Sequence, residues 1–493
     1  MNSRHPSNIN DEHPTGESAV SRRQFLKLTG ATGASVLAAG GMAAVLAACG
    51  GKEVTTTAAA PATTTTTAPS ATSTLATSGS TVSTSAEAGR EIRLGVVTPQ
   101  TGPLAVFGIA DKWSADLTRR TVGDGLVLGD GKKHPINLIF RDTQSDSNRA
   151  AQVAGDLITN DKIDILLAAG APDTVNPAAD QAETLGAPFL GLNDPWPAFV
   201  FGRGGSFDKP FKWTYGMLLG LEQMSAYMIE VFGKAQTNKK VAFLVPNNAD
   251  GLAWIDKNTG SPPVLEAAGY TVVVPSPFTP GAEDFTAQIS QFKKEGCEAL
   301  GGASTTPDFT NFWKQSLQQG FKPVVACQGL ALGFPQAAQA MGPAVYGLID
   351  PGGAWHPTFP FKDSLTGMTC QELADDYEKT INSQWTGAIG GHAKTSWAID
   401  VLGRAKNPDD KEAILGAIAT TKLETIIGVC DMTQPVDKNP LDPAGTRPHP
   451  NVVKPILTAQ QWIKGSKWPF EEVVVANHYA PMVPAVELQA MKY

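Results

Sequence analysis

The chain has 493 residues, and its 47 acidic side chains outnumber its 39 basic ones, which gives a formal net charge of −8 at pH 7. This acidic balance argues against nucleic acid as a partner, because surfaces that bind phosphate backbones carry an excess of Lys and Arg. The hydrophobic fraction of 42% is typical of a globular protein, and the length exceeds what one core accommodates, so two or three domains are expected.

Residues 1–48 have the features of an export signal. The stretch SRRQFLK at positions 21–27, with Arg22 and Arg23 adjacent, matches the twin-arginine (Tat) signal, which a receptor reads and which serves already folded proteins. The uncharged run 28–48 is only weakly apolar. It is nevertheless long enough to cross a bilayer, which leaves an uncleaved membrane anchor as an alternative.

The end of this segment predicts lipidation. LAAC at positions 46–49 resembles the bacterial lipobox, in which cleavage leaves the cysteine as a diacylated N-terminal residue. Two acyl chains hold a protein stably on a bilayer, whereas one holds it only marginally. We therefore expect Cys49 to anchor a Tat-exported protein on the outer face of the cytoplasmic membrane. The alternative is a core cysteine that happens to follow two alanines.

Residues 49–90 are predicted to form a disordered tether. They are rich in Thr, Ser, Ala and Pro and contain no aromatic residue, so they cannot bury enough apolar surface to form a core. Cleavage before Cys49 would remove four of the 39 basic and three of the 47 acidic residues, and would leave 35 against 44, a net charge of about −9.

Four cysteines remain beyond the predicted anchor. They are Cys297, Cys327, Cys370 and Cys430. Their even number and an oxidising compartment allow disulfides, but a protein that folds before export would retain free thiols equally well. Both states therefore remain open.

From residue 92 onward, short apolar β-rich runs alternate with helical stretches. Two series of runs predict strands at 92–98, 136–143, 163–169 and 188–193, and then at 240–247, 271–278, 298–304 and 324–329. Nearly continuous apolar strands separated by helices indicate parallel sheets covered on both faces. Two such series predict two α/β lobes, with a ligand cleft at the carboxyl ends of both sheets.

Several stretches resemble one known family. IRLGVVTPQTGPLAVFG (92–108) is similar to the first strand, loop and helix start of the periplasmic binding proteins of the branched-chain amino acid (Leu/Ile/Val) type, the substrate-binding components of ABC importers. DTQSDSNRAAQVAGDLITNDKIDILLAAG (142–170) resembles the next unit of that family, and NKKVAFLVPNNADGLAWID (238–256) resembles the start of its second lobe. The resemblance extends over roughly residues 92–429.

The resemblance implies an α/β fold of two doubly wound parallel-sheet lobes joined by a hinge, the periplasmic binding protein type I fold. Lobe one is then expected at 91–213 and 343–428, and lobe two at 214–342 and 429–493, with three crossings of the chain between them. Closure of the hinge would trap a ligand between the lobes. The final segment is expected to add a hairpin to lobe two, from QQWIKG and EEVVVAN.

By the same resemblance we expect a monomeric extracytoplasmic lipoprotein. It would bind a small solute of the amino acid, amide or aromatic acid kind and deliver it to the permease subunits of an ABC transporter. The alternative is a ligand-sensing lipoprotein that serves a separate signalling partner. No cofactor is expected, and the sequence has no P-loop, no G-x-S-x-G, no H-E-x-x-H and no zinc-spaced Cys/His set, so neither a metal site nor enzymatic activity is expected.

In lobe one, the resemblance places ligand contacts in two loops that follow early strands. Phe107 lies where family members set an aromatic ring against the ligand side chain, although it could instead pack inside its own lobe. Asp173 and Thr174 belong to the loop that holds a ligand carboxylate in the family. Thr174 could alternatively cap the next helix.

The next strand end carries Asn193, Asp194 and Trp196, where amino-acid-binding members have small and hydroxylated residues. The indole of Trp196 makes an aromatic-walled pocket possible, for an aromatic acid, an amide or a cationic amine. The other reading of this tryptophan is a core residue.

In lobe two, Asp250 stands where the family often has Tyr, and it could alternatively cap a helix. Thr305 lies near the following strand end. Gln328 replaces a Glu whose carboxylate would bind a ligand ammonium group. Because this change removes a charge-assisted hydrogen bond, a free aliphatic α-amino acid is not the obvious ligand, unless Asp194 or Asp250 supplies the charge.

Overall fold

The computed structural model describes residues 86–493. The predicted signal segment 1–48, with Arg22 and Arg23, lies outside the described residues, as do Cys49 and most of the predicted tether.

The fold begins slightly before the predicted body. Ala88 forms a β-bridge with Lys133, and the guanidinium of Arg90 pairs with the carboxylate of Asp164 at 2.7 Å. Arg90 is therefore part of the folded body, although the predicted tether extended to residue 90.

The described residues form seventeen β-strands and thirteen α-helices. In chain order the strands are β1 Ile92–Thr98, β2 Leu126–Val127, β3 Lys133–His134, β4 Ile136–Asp142, β5 Ile165–Ala169, β6 Phe189–Pro195, β7 Thr214–Leu219, β8 Lys240–Leu244, β9 Thr271–Val273, β10 Ala299–Gly302, β11 Val325–Ala326, β12 Ile349–Gly353, β13 Lys422–Thr425, β14 Gly428–Asp431, β15 Val452–Val453, β16 Thr458–Lys464 and β17 Phe470–Ala476. The helices are α1 Asp111–Val122, α2 Ser147–Thr159, α3 Pro172–Leu185, α4 Trp196–Val200, α5 Leu221–Lys234, α6 Ala249–Trp254, α7 Ser261–Ala267, α8 Thr286–Glu295, α9 Thr306–Gln318, α10 Pro335–Met341, α11 Cys370–Ile381, α12 Ala393–Arg404 and α13 Lys411–Ala419. Short 3₁₀ turns lie at Ala105–Phe107, Gly342–Val345 and Gly387–His392.

The first sheet contains six parallel strands in the order β15-β7-β6-β5-β1-β4. Leu94 of β1 lies opposite Leu138 on one side and Ile165 on the other, so the first strand of the chain is central. Parallel strands covered on both faces read as continuous apolar runs, which is the pattern seen in the sequence. The predicted parallel sheet of lobe one is confirmed.

The second sheet contains four parallel strands in the order β11-β10-β8-β9. A bridge between Cys327 and Ile349 attaches β12 to its edge, and β12 begins an antiparallel sheet in the order β12-β16-β17. Strands β16 and β17 form the predicted hairpin of the final segment. Trp462 of β16 packs in a core of the second sheet, so the hairpin belongs to that half of the protein.

Alternate residues of the central strands enter different cores, which explains how helices cover both faces of each sheet. On β1, Val96 and Val97 belong to two separate clusters of buried side chains. On β8, Phe243 and Leu244 are divided in the same way. This alternation follows from the two-residue period of a strand, and it confirms the predicted doubly wound α/β class.

The chain crosses between the two lobes after β7, after β12 and after β15. The predicted boundaries at 213, 342 and 428 all lie earlier than these crossings. Strand β7 pairs with β6 in the first sheet, and β15 pairs with β7, although both were assigned to lobe two. Ile349 of β12 shares a core with helix α5, although that strand was assigned to lobe one. Strand pairing, which local sequence does not reveal, decides these memberships.

The four body cysteines are free thiols, and all of them are buried. Burial raises the pKa of each thiol, to about 11 for Cys297 and to about 12 for Cys370. Disulfides between them are therefore not part of this fold.

Among the helices of residues 86–493, none combines the length and the apolar composition required to cross a bilayer.

Candidate functional site

A cavity opens between the lobes near the carboxyl ends of their parallel strands. It has about 710 Å³ of empty space, including the part open to solvent. Both lobes contribute to its wall, which includes Phe107, Asn193, Trp355, Asp250, Trp254 and Asp350. Three of these six residues, Phe107, Asn193 and Asp250, are among the ligand contacts predicted from sequence.

Phe107 forms a contact across the cavity. It ends the 3₁₀ turn that follows β1, and its ring meets the ring of Phe334 edge to face, with centroids 4.9 Å apart and planes at 75°. Phe334 lies immediately before helix α10 of the second lobe. Such a pair contributes about 0.5–1.5 kcal/mol beyond the area that it buries. Phe107 therefore helps to hold the two lobes together at the cavity.

The end of β6 separates two neighbouring predicted residues. Asn193 lines the cavity with a φ of 60°, a left-handed conformation that Asn adopts more readily than most residues. Asp194 is completely buried behind the wall, and neither of its carboxylate oxygens has a hydrogen-bond partner among the described residues. Burial, and then the charges of Asp250 and Asp173, raise the pKa of Asp194 well above its usual value, although Arg203 opposes them.

Trp196 lies at the hinge and not in the cavity wall. Its ring is completely buried, and its Nε1 lies 3.3 Å from both carboxylate oxygens of Glu222. Glu222 in turn pairs with Lys454 at 2.6 Å, and both side chains are 1% exposed. Glu222 follows the first crossing of the chain and Lys454 follows the third. We call these two residues the hinge pair.

Asp173 bridges the lobes. It lies in the first turn of α3, and its carboxylate accepts a hydrogen bond of 3.1 Å from Nδ2 of Asn248. The backbone N–H groups of Ala249 and Asp250, at the start of α6 in the second lobe, lie close enough to favour the ionised form of Asp173. Burial raises the pKa of Asp173, and these N–H groups oppose the rise.

Three further predicted residues make contacts inside a single lobe. The buried hydroxyl of Thr174 donates to the carbonyl oxygen of Ala171 at 3.3 Å. Thr305 is the N-cap of α9. Gln328 is completely buried, and its amide nitrogen donates to Oγ of Ser304 at 2.9 Å. The structure does not bring these side chains to the cavity.

Asp250 carries a carboxyl group into the cavity from the second lobe. It lies in the first turn of α6, is 2% exposed, and its Oδ2 has no hydrogen-bond partner among the described residues. Burial, and then the charge of Asp173, raise the pKa of Asp250 to about 7. Trp254, one turn further along the same helix, places its indole in the same wall.

Asp350 and Trp355 were not predicted as ligand contacts. Asp350 lies in β12, where its carboxylate accepts a hydrogen bond of 2.9 Å from the N–H of Gly352, and burial raises its pKa to about 7. The Nε1 of Trp355 is buried without an acceptor among the described residues. The stretch GLIDPGG, an apolar run that ends in an acid before Pro-Gly-Gly, was the signal for this strand end. The predicted strand series stopped before it.

A second group of polar side chains has the Ser-His-Asp composition of a catalytic triad, but it is buried and not accessible to solvent. Oγ of Ser114 lies 2.7 Å from Nδ1 of His392, and Nε2 of that ring lies 3.5 Å from Oδ2 of Asp363. Burial opposes ionisation of Asp363, but His392 and hydrogen bonds from Ser396 and Thr366 lower its pKa. Ser114, His392 and Asp363 are 4%, 1% and 1% exposed, so this group ties α1 to the segment before α12 and presents no accessible nucleophile.

The cavity combines aromatic rings with carboxyl groups. Among the described residues that line it, none is Lys, Arg or His, so its ionisable groups carry only negative charge. Within residues 86–493, no group of three or more His, Cys, Asp or Glu side chains is arranged to hold a metal ion. The arrangement is suited to enclosing an organic molecule rather than to binding a metal ion.

Comparison with known proteins places this geometry in a family. The sequence profile described as periplasmic binding protein matches residues 91–443, more than half of the chain. A leucine binding protein from Thermotoga maritima superposes with a TM-score of 0.62 at 18% identity, and the match covers 78% of this chain and 98% of that one.

Two other solved structures have the same fold with a ligand bound. The branched-chain amino acid transporter substrate binding protein of Streptococcus pneumoniae, in complex with isoleucine, gives a TM-score of 0.57 at 16% identity and covers 81% of this chain and 99% of its own. A solute binding protein from R. palustris, in complex with 4-hydroxybenzoate, gives a TM-score of 0.61 at 16% identity, and the match covers 78% of this chain and 96% of that one. The predicted fold and resemblance are confirmed, and this chain belongs to the periplasmic binding protein family.

Proposed function

We propose that the protein is the extracytoplasmic substrate-binding component of an ABC importer and that it holds a small organic solute in the cavity between its lobes. The observation that supports this function is the composition of the cavity wall, to which both lobes contribute. A solute that contacts Phe107 and Asn193 on one side and Asp250 and Trp254 on the other stabilises the closed arrangement, because those contacts exist together only when the lobes meet.

The chemical kind of the solute follows from the wall. The amino acid, amide and aromatic acid classes predicted from sequence all have an apolar or aromatic portion that suits Phe107, Trp254 and Trp355. The two carboxyl groups, with no basic side chain beside them, favour those solutes that carry an amine. They disfavour an aromatic acid whose only charge is its carboxylate.

Delivery to permease subunits and location outside the cytoplasm are parts of the same proposal. We infer that Arg22 and Arg23 direct export, that Cys49 carries the lipid, and that the mature protein acts as a monomer on the outer face of the cytoplasmic membrane. The protein has no catalytic role in this proposal, since its family binds solutes. Intact mass spectrometry of the membrane-extracted protein tests the anchor, because an unmodified Cys49 would contradict it.

Binding is tested by thermal unfolding of the purified chain against a panel of free amino acids, their amides, aromatic acids and amines. A bound solute at one hundred times its dissociation constant stabilises the native state by about 2.7 kcal/mol. Small-angle X-ray scattering of the same samples should show a smaller radius of gyration with the stabilising solute. Mass spectrometry of material released by denaturing the protein identifies any solute that it retains from the cell.

A matched pair of variants separates the cavity from the rest of the surface. Phe107→Ala removes a wall residue and should weaken the thermal shift. Asp208→Asn changes a side chain that is 93% exposed and should leave it unchanged. The function proposed here would be contradicted by a protein that retains no solute, is stabilised by no member of the panel, and keeps a constant radius of gyration throughout.

A further inference from the structure

We propose that the solute is a small organic cation, a protonated amine with an apolar body and no carboxylate, whose ammonium group is held by Asp250 in a cavity to which Asp350 adds a second carboxyl group. This inference rests on the proposed function, since it specifies the class of solute in the same cavity. The features that support it are the unpartnered carboxyl oxygen of Asp250, the absence of a basic side chain among the described residues of the wall, and the aromatic rings.

The buried carboxyl group of Asp250 favours a cationic ligand. A carboxyl group that is 2% exposed and has one oxygen without a partner among the described residues carries a large desolvation cost when it is ionised. Hydrogen bonding from a ligand ammonium group would remove that cost and add a charge-assisted bond. Asp173 and Asp194 lie close enough to oppose its ionisation further. A positively charged group beside Asp250 would therefore stabilise its ionised form.

Asp350 adds a second buried carboxyl group in another part of the same wall. It is 7% exposed, and Glu472, which is 4% exposed, lies close enough that the charge of one carboxyl opposes ionisation of the other. One oxygen of Glu472 also lacks a partner among the described residues. Two buried carboxyl groups of separate origin, on α6 and β12, thus line one cavity. A cation is the ligand charge that relieves both.

No basic side chain in the wall compensates these carboxyl groups. Arg203 affects the buried Asp194 electrostatically, but it pairs with Asp180 at 2.7 Å and stacks over Phe211 at 4.1 Å. Arg203 therefore has partners outside the cavity and does not belong to its wall. A ligand carboxylate would enter a cavity of like charge and find no side-chain counter-ion there.

The start of helix α3, where Ala171 and Pro172 line the cavity, offers little to a carboxylate. Here Pro172 occupies the first position of α3 and has no N–H to donate, and Asp173 fills the adjacent space with its own carboxylate. A ligand carboxylate placed at this helix start would lie near the carboxylate of Asp173. An amine without a carboxylate avoids this repulsion.

Aromatic rings define the remainder of the ligand. Phe107, Trp254, Phe334 and Trp355 face the same space. They bury an apolar body efficiently, and their faces attract a cation when it is desolvated. The combination of two carboxyl groups and four rings suits an amine attached to a ring or to a branched hydrocarbon.

The test uses three compounds that share a phenylethyl group. They are 2-phenylethylamine, L-phenylalanine, which is the same amine with a carboxylate added, and 3-phenylpropanoate, in which a carboxylate replaces the amine. Isothermal titration calorimetry of the full chain is run at about pH 8, where both carboxyl groups are ionised in part and the amine is protonated. The amine should bind about ten- to a hundred-fold more tightly than L-phenylalanine, and 3-phenylpropanoate should not bind.

Variants assign the effect to the two carboxyl groups. Asp250→Asn should weaken binding of 2-phenylethylamine by about ten- to a hundred-fold, because a charge-assisted bond is lost. Asp350→Asn should weaken it by a smaller factor, because it removes a negative charge from the wall without removing that bond. Neither change should unfold the protein, since an amide avoids the cost of a buried charge, and thermal unfolding verifies this. Asp208→Asn, on the surface, should bind the amine as the parent does.

Other results would overturn the proposal. Tighter binding of L-phenylalanine or 3-phenylpropanoate than of the amine would refute the cation while leaving the importer function intact. Unchanged amine affinity in both cavity variants would refute the roles of Asp250 and Asp350. If none of the three compounds binds, the cation proposal fails, and a solute retained from the cell then decides whether the importer function survives.

Discussion

The buried carboxyl groups of Asp250 and Asp350 determine how the empty cavity responds to pH. Burial raises the pKa of each to about 7, from the usual 3.8 of an aspartate side chain. Asp173 and Asp194 lie near Asp250, and Glu472 lies near Asp350, so neighbouring negative charges oppose ionisation in addition to burial. Between the pKa of the unfolded state, about 4, and that of the native state, about 7, each native carboxyl keeps a proton that the unfolded chain has released.

The sign of the resulting effect is opposite to that of a salt-bridged acid. Stability is fully present below about pH 4 and decreases as the pH rises through about 7, by on the order of 4 kcal/mol at most for one such carboxyl. In Asp250→Asn this component disappears. The melting temperature of the variant should therefore exceed that of the parent increasingly between pH 4 and 8, as scanning calorimetry over roughly that range would measure. A constant difference would show that Asp250 does not titrate there.

The predicted ligand contacts show which part of a site a sequence reveals. Phe107, Asn193 and Asp250 follow strands, and strand ends are readable from apolar runs and turn residues. Asp194 is adjacent to Asn193 but is buried behind the wall. The pairing of β6 with β7 is irregular between Leu192 and Pro195, and Asn193 has a φ of 60°, so the regular alternation of a strand does not decide which of the two side chains faces the cavity. The local sequence does not reveal such an irregularity.

Helix α6 shows how a short element depends on the opposite lobe. It has six residues, and Asn248 caps it by accepting a hydrogen bond from the N–H of Gly251 at 3.0 Å. Asp173 of the first lobe accepts from Nδ2 of the capping Asn248, and its carboxylate lies near the N–H groups of Ala249 and Asp250. The start of the helix therefore gains an acidic partner when the lobes are together.

Asp173→Ala should release this helix end and shift the protein towards open forms. Amide hydrogen exchange at Ala249 and Asp250 should become faster, and the radius of gyration of the unliganded chain should increase. A suitable control is Asp146→Ala, which removes the N-cap of α2 within a single lobe and should cost about 1 kcal/mol of stability without changing closure. Equal exchange rates in the parent and in Asp173→Ala would refute the bridging role.

The eight predicted strands all coincide with observed ones, because continuous apolar runs between helices are a strong local signal. Apart from these eight and the predicted hairpin, seven strands were missed, namely β2, β3, β7, β12, β13, β14 and β15. Two of them, β7 and β12, contribute Leu219 and Asp350 to the cavity wall. Each adjoins a crossing between lobes, and β12 carries Pro351, Gly352 and Gly353, which are unusual in a strand. Their membership is decided by partners that are distant in sequence.

The movement of one lobe relative to the other depends on the segments at the crossings. The hinge pair joins the first crossing to the third. Trp196, the first residue of the lobe-one helix α4, donates a hydrogen bond to Glu222 of this pair. Burial raises the pKa of Glu222, while the charge of Lys454 and hydrogen bonds from Lys454 and Trp196 oppose the rise. A buried pair of this kind fixes geometry more than it adds stability.

Removing one partner of the hinge pair should be costly. Glu222→Gln leaves the Lys454 charge buried without its counter-ion and should reduce the free energy of unfolding by about 3–5 kcal/mol, as measured by urea titration. The double variant Glu222→Gln/Lys454→Met should recover part of this loss, since no charge is then buried. As a control, Asp116→Ala breaks a pair in which Arg119 is 72% exposed and should cost less than about 1 kcal/mol. A small loss in Glu222→Gln would mean that water reaches the hinge.

The burial of Cys297, Cys327, Cys370 and Cys430 makes the protein convenient for single-molecule spectroscopy. Maleimide dyes attack accessible thiolates, and these four side chains offer none. In a chain with Cys49 replaced, one new cysteine on the exposed surface of each lobe would carry a donor and an acceptor fluorophore. Energy transfer between the dyes would then record individual opening and closing events, and the dwell times with each candidate amine, in a background that needs no further thiol removal.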